Sequence, residues 1–164
     1  MDEEKTVVIG VGNLLWRDEG VGVYILSELE RRYEFPPHVE LVDGGTGGLV
    51  WLPFVLEAER LIIIDCADFG GTPGEMRKFS FEDISPGVSF SSTHGMKVPE
   101  VLEVARSLGS LPKTVIFGIQ PKDWQEAGDE LSPELSERIP HYVSSVIAEL
   151  RSYGIEAKEK SEKG

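Results

Sequence analysis

The chain has 164 residues, enough for one domain with a sizeable core. Its composition, 40% hydrophobic and 27% charged, is ordinary for a globular protein, and no apolar run approaches the ~20 residues that a membrane-spanning helix needs. With 29 acidic against 16 basic residues the formal net charge is −13, which argues against nucleic acid as a partner and suits a cation, a basic peptide or plain solubility.

The first residues, "MDEEKT", are acidic and lead straight into an apolar run, unlike a signal peptide. "TVVIGVG" predicts a first β-strand. From Val21 the apolar positions Val21, Tyr24, Ile25, Leu29 and Tyr33 recur at three and four, so a helix is expected to about Tyr33. "FPP" breaks the chain. "HVELVDGG" alternates and predicts a second strand ending at Asp43. "GLVWLPFVLEAE" reads as a helix perturbed by Pro53. "RLIIIDCAD" is the candidate central buried strand. "FGGTPGE" is a turn-rich loop, and "MRKFSF" a candidate edge strand.

"EDISPGVSFSSTHG" shows no clear period and reads as loop. Val98, Val101, Leu102, Ala105 and Leu108 mark another helix. "KTVIFGIQP" predicts a further buried strand, and "KDWQEAGDEL" a polar loop. The last helical pattern starts with Ser132 as N-cap and Pro133 in its first turn, with Pro140 expected to kink it or end its first part. Residues 1–152 are expected to form a single domain and 153–164 a solvated, disordered tail. Strands separated by helices imply a three-layer α/β fold, a mostly parallel twisted sheet with helices on both faces.

Ligands in such folds sit beyond the C-terminal ends of the strands. Asn13, Trp16, Asp18 and Glu19 follow the first strand. Asp43 with "GGT" follows the second. Asp65, Cys66 and Asp68 follow "LIII", and His94 lies in the long loop after them. Gln120 follows "VIFG". "GVGNLL" has Leu15 where a dinucleotide fingerprint needs its third glycine, and Asp18 and Glu19 would repel a pyrophosphate. Carboxylate, carboxylate and imidazole from separate loops instead suit zinc, nickel, manganese or iron with open coordination positions. Glu19, Asp65 and His94 are the natural trio if the sheet brings those loops together.

Each of these residues also has a structural reading. Asp18 or Glu19 can cap a helix N-terminus. Asp43 can serve its own turn, and His94 can be an ordinary loop histidine. Cys66 reads as a small buried hydrophobe, and one cysteine suits a reducing, cytoplasmic setting. Trp16 is either a partner-facing anchor or a partly buried core residue. His38, His141, Asp68 and Asp123 read as incidental.

Taken in order, "GVGNLLWRDEGVG", "LVDGGTGG", "LIIIDC" and "STHG" resemble the hydrogenase maturation proteases, endopeptidases that trim the large subunit of nickel–iron hydrogenases. The likeness spans about residues 6–150. It implies a twisted sheet between helices, metal contacts at Glu19, Asp65 and His94, and a functional acid at Asp43. It implies that a C-terminal extension is removed from the precursor after nickel insertion, by a cut after the basic residue that follows the last cysteine motif. The metal recognised is then the nickel already in the substrate. The base is expected among the carboxylates Asp43, Glu19 and Asp65. A non-catalytic nickel-binding chaperone or check module on the same fold, and a nucleotide-binding protein, are the alternatives.

Overall fold

Runs of β-branched residues form strands because their branched side chains pack well on a pleated surface. In the computed structural model, which describes residues 3–91 and 95–161, the "LIII" run is the middle of the sheet. The elements are β1 (Thr6–Val11), a 3₁₀ turn (Arg17–Gly20), α1 (Val21–Arg32), β2 (Tyr33–Glu34), β3 (Val39–Gly45), α2 (Gly48–Glu57) and β4 (Arg60–Asp68). There follow β5 (Met76–Ser80), a second 3₁₀ turn (Phe81–Asp83), β6 (Ser89–Phe90), α3 (Val98–Ser107), β7 (Lys113–Ile119), α4 (Pro133–Ser136), α5 (Ile139–Ser152) and β8 (Lys158–Glu159).

The sheet runs in the order β3-β1-β4-β7-β5. The pairs β1/β3, β1/β4 and β4/β7 are parallel, since a helix returns the chain to the same edge between successive strands. β5 lies antiparallel on β7 at the edge. β6 adds two residues antiparallel to the end of β4, Ala67↔Phe90 and Asp68↔Ser89.

Side chains of period two sort the core onto two faces. Val8, Ile62, Ile64 and Phe117 meet Ile25 and Leu29 of α1 and Tyr142, Val146 and Leu150 of α5. Val7, Ile9, Leu61, Ile63 and Ile116 meet Trp51 and Val55 of α2 and Val101, Leu102 and Ala105 of α3. The expected three layers are therefore present. No helix among the described residues is long and apolar enough to cross a membrane.

Three sequence expectations change in detail. The last helix splits into α4 and α5, and Pro140 stands in the first turn of α5, where its missing N–H costs nothing. Ser132 is at the N-cap position of α4, but its side chain makes no capping bond and turns elsewhere. The stretch from residue 153 is exposed at most of its described positions but is not simply a solvated tail. Ile155 and Ala157 are buried, and β8 pairs antiparallel with β2, Tyr33↔Glu159 and Glu34↔Lys158. Two isolated apolar side chains, Ile155 and Ala157, among charges give too weak a pattern to read locally. They are held because a groove beside α1 and α5 receives them.

Candidate functional site

The chain leaves β1 through Gly12, at φ 143°, in a turn closed by Asn13, whose Oδ1 accepts the Leu15 N–H at 2.9 Å. A methyl group at Gly12 would stand 1.9 Å from the Glu19 carbonyl oxygen, so only glycine lets the turn fold back this tightly. At Gly22 it would stand 2.2 Å from the Ile64 carbonyl oxygen, so glycine also seats α1 directly on the sheet. Arg17, at φ 50°, is the non-glycine residue in the left-handed region among those described. A conformation of this kind costs of order 1–3 kcal/mol and turns the chain into the 3₁₀ turn that carries both acids inward.

The adjacent carboxylates then diverge. Asp18 is fully buried and saturated. Its Oδ1 accepts the Ser132 N–H at 2.7 Å, and its Oδ2 accepts the Ser132 hydroxyl at 2.8 Å and the Lys122 and Asp123 N–H groups at 2.9 and 2.8 Å. It anchors the loop between β7 and α4, which a Trp16↔Gly128 bridge also ties to the first turn. Glu19 is 3% exposed, and its Oε1 is buried without a hydrogen-bond partner among the described residues.

Asp65, 0% exposed near the end of β4, repeats the pattern with one oxygen held and one bare. Its Oδ1 accepts the Cys66 N–H at 2.8 Å and the Ser91 hydroxyl. Its Oδ2 is buried and has no partner among the described residues. Burial holds the Asp65 carboxyl well above the usual carboxylate range. The Ser91 and Cys66 bonds pull it back down, and the Glu19 charge pushes it up. Burial also raises Glu19. Native proteins leave few buried polar atoms unpaired, and each exception requires a cause. Two bare oxygens on neighbouring buried acids at the strand ends are donors of the type that holds a cation.

Glu19 and Ser91 line a cleft of about 220 Å³ with Lys97, Trp124 and Gln125. A larger cleft of about 530 Å³ lies at the opposite end of the sheet, among Glu3, His38, Arg60 and Tyr153. The topology places ligand chemistry at the strand C-termini, where the smaller cleft sits. Four of the five large apolar side chains exposed among the described residues edge the same end. They are Leu14 and Leu15 after β1, and Leu49 and Val50 at the start of α2, with Leu15 68% and Val50 72% exposed.

The other sequence candidates fall outside the buried pair. Asp43 is exposed at the end of β3, and its Oδ1 accepts the Gly45 N–H at 2.9 Å, an Asx turn. Strand alternation also sets it on the α1 side of the sheet, since Val42 packs with α2 and α3, whereas Asp65, the neighbour of Ile64 on the α1 side, falls on the α2–α3 side. His94 lies outside the described residues. Among the described residues no group of three His, Cys, Asp or Glu is placed to hold a metal. Cys66 is buried on the α1–α5 face, and burial pushes its thiol up. Trp16 is half-buried. Asp68 accepts the Gln120 side-chain amide at 3.0 Å, and Gln120 in turn accepts the Phe69 and Gly71 N–H groups, bracing the loop after β4.

Ser91 does not stand out in the sequence, because its segment reads as loop. The available signal was the alternation Ser89, Phe90, Ser91, the period of a strand. In the fold Phe90 packs edge-on against Phe79, with ring centres 6.0 Å apart, and the Ser91 N–H donates to the Cys66 carbonyl at 3.1 Å.

Known proteins are similar to this chain in sequence and fold. A family model described as hydrogenase maturation protease matches residues 23–149. The hydrogenase expression/formation protein HupD of Rhodobacter capsulatus is 36% identical over 156 residues, 93% of this chain and 74% of the relative. The hydrogenase 2 maturation protease of Escherichia coli is 34% identical over 157 residues, 93% of this chain and 94% of the relative. The solved structure of the hydrogenase maturating endopeptidase HybD from Escherichia coli aligns with a TM-score of 0.82 at 32% identity, over 97% of this chain and 99% of that one.

Proposed function

The chain belongs to the hydrogenase maturation protease family, whose members are endopeptidases, and from that premise we propose that it removes the C-terminal extension of a nickel–iron hydrogenase large-subunit precursor once nickel has been inserted. The observation that carries this reading is the pair of bare buried oxygens, Glu19 Oε1 and Asp65 Oδ2. They are hard donors with no partner of their own among the described residues. With a neutral nitrogen from His94 they complete a mixed set that suits a borderline divalent ion such as nickel. The nickel is cargo, held by the substrate's cysteines and offered to these three side chains on docking. The exposed leucines and valine at the same end of the sheet suit a protein substrate.

In hydrolysis, water attacks the scissile carbonyl carbon, a base takes the water's proton, and that proton passes to the departing amine as the C–N bond breaks. Glu19 and Asp65 are occupied with the metal in this reading. Asp43, outside the pair, then acts either as the base or only in its own turn. The two roles separate in Asp43→Asn: a base is lost with nickel-dependent docking intact, whereas a turn residue changes turnover little. A cytoplasmic setting belongs to the same reading, since the lone Cys66 is buried as a free thiol.

The test mixes the pure protein with nickel-loaded and nickel-free precursor and follows the mass of the precursor. Loss of the tail from the loaded form alone is expected. Cleavage regardless of nickel removes the cargo check. A nickel-dependent complex that releases no peptide marks a non-catalytic check module.

A further inference from the structure

The geometry assigns Ser91 a positioning role: its hydroxyl fixes the Asp65 carboxylate so that Oδ2 alone is presented to the metal carried by the substrate. This rests on the function proposed above. An aspartate side chain rotates readily about its last bond, and either oxygen could face the cleft. Here the rotation is blocked. The Cys66 N–H and the Ser91 hydroxyl both close on Oδ1, leaving Oδ2 bare among the described residues. The Cys66 amide belongs to the strand itself and would be present whatever residue stood at position 91. The hydroxyl is the part of the clamp supplied by a side chain.

Ser91 is itself held on two sides. Its N–H continues the β4–β6 ladder to the Cys66 carbonyl, and its neighbour Phe90 is buried between Ala67 of β4 and the Phe79 ring. The short strand β6 thus brings a hydroxyl to Asp65 at a fixed position. Ser91 also lines the cleft shared with Glu19 and lies three residues before His94 in the chain. Groups that orient metal ligands from behind typically change affinity or activity by 10–100-fold when removed.

Ser91→Ala, Ser91→Thr and wild type are compared for affinity toward nickel-loaded precursor, affinity toward nickel-free precursor, kcat, KM and thermal unfolding. Ser91→Ala is expected to lose about 10-fold or more of the nickel-dependent part of the affinity, with the nickel-free affinity unchanged and the chain still folded. Ser91→Thr, which keeps the hydroxyl, is expected to restore most of it. In an Asp65→Asn background, Ser91→Ala is expected to add nothing further, because the group it orients has been changed. Wild-type nickel-dependent affinity in Ser91→Ala overturns the assignment, and so does equal loss in Ser91→Ala and Ser91→Thr. Should Ser91→Ala not fold, Ser91→Thr and Ser91→Cys decide: the hydroxyl variant must outperform the thiol, or the assignment falls. If wild type binds and cuts both precursors alike, it is the cargo reading that fails. Ser91 is then judged on kcat alone, and a wild-type kcat in Ser91→Ala overturns it there too.

Discussion

The Ser132 N–H and hydroxyl both close on the Asp18 carboxylate, at 2.7 Å to Oδ1 and 2.8 Å to Oδ2. With the Lys122 and Asp123 amides on Oδ2, this buried acid satisfies four donors of a loop more than a hundred residues away in sequence. Asp18→Ala strands those donors and is expected to cost about 3–5 kcal/mol, as removing one partner of a buried charged network does. Equilibrium urea unfolding measures it. A loss under about 1 kcal/mol would show the anchor to be dispensable.

Glu19, the next residue, is expected to behave in the opposite way. Its Oε1 has no partner to lose among the described residues. Glu19→Gln keeps the shape and removes a buried charge, so the unfolding midpoint near neutral pH should hold or rise while processing of nickel-loaded precursor stops. Mass spectrometry of the precursor with a parallel melt reads both. Wild-type processing by this variant removes Glu19 from the metal set.

The pH dependence of stability follows from the same pair. The ordinary values are 3.8 for Asp65 and 4.5 for Glu19, and burial raises both in the folded chain. The native state then keeps protons that the unfolded chain has already released. Stability from this pair is fully present below about pH 3.8 and is lost as pH rises through the raised folded values. Metal-free protein is therefore expected to lose this contribution toward neutrality, and Asp65→Asn to flatten the slope. Urea unfolding at intervals across that range checks it, and an unchanged slope excludes Asp65 as its source. Nickel-dependent docking should run the other way and strengthen with pH, since a ligating carboxylate must first lose its proton.

Gly12→Ala places a methyl group 1.9 Å from the Glu19 carbonyl oxygen at a φ of 143°. Strain and overlap together are expected to cost about 2–4 kcal/mol. Because the contact is with the Glu19 backbone, processing should fall further than the lost stability explains. Activity assayed well below the variant's melting temperature separates the two effects.

Much of the fold is legible in the chain's local pattern. Alternation and apolar runs mark β1, β3, β4 and β7, because period two and burial are local properties of the chain. The helices between them imply parallel strands, and parallel strands place Glu19, Asp43 and Asp65 at one end of the sheet. That much the sequence by itself determined. It could not divide Asp18 from Glu19, adjacent carboxylates of similar propensity, because what separates them is a serine 114 residues from Asp18. Nor could it turn Asp43 outward into its own Asx turn while burying Asp65, since both follow apolar strands. The tertiary structure decided these points by supplying partners to some acids and withholding them from others. Ser91 and the buried Ile155 and Ala157 belong to the same class: their roles come from surfaces assembled by distant segments, and no local pattern encodes a partner that only folding brings near.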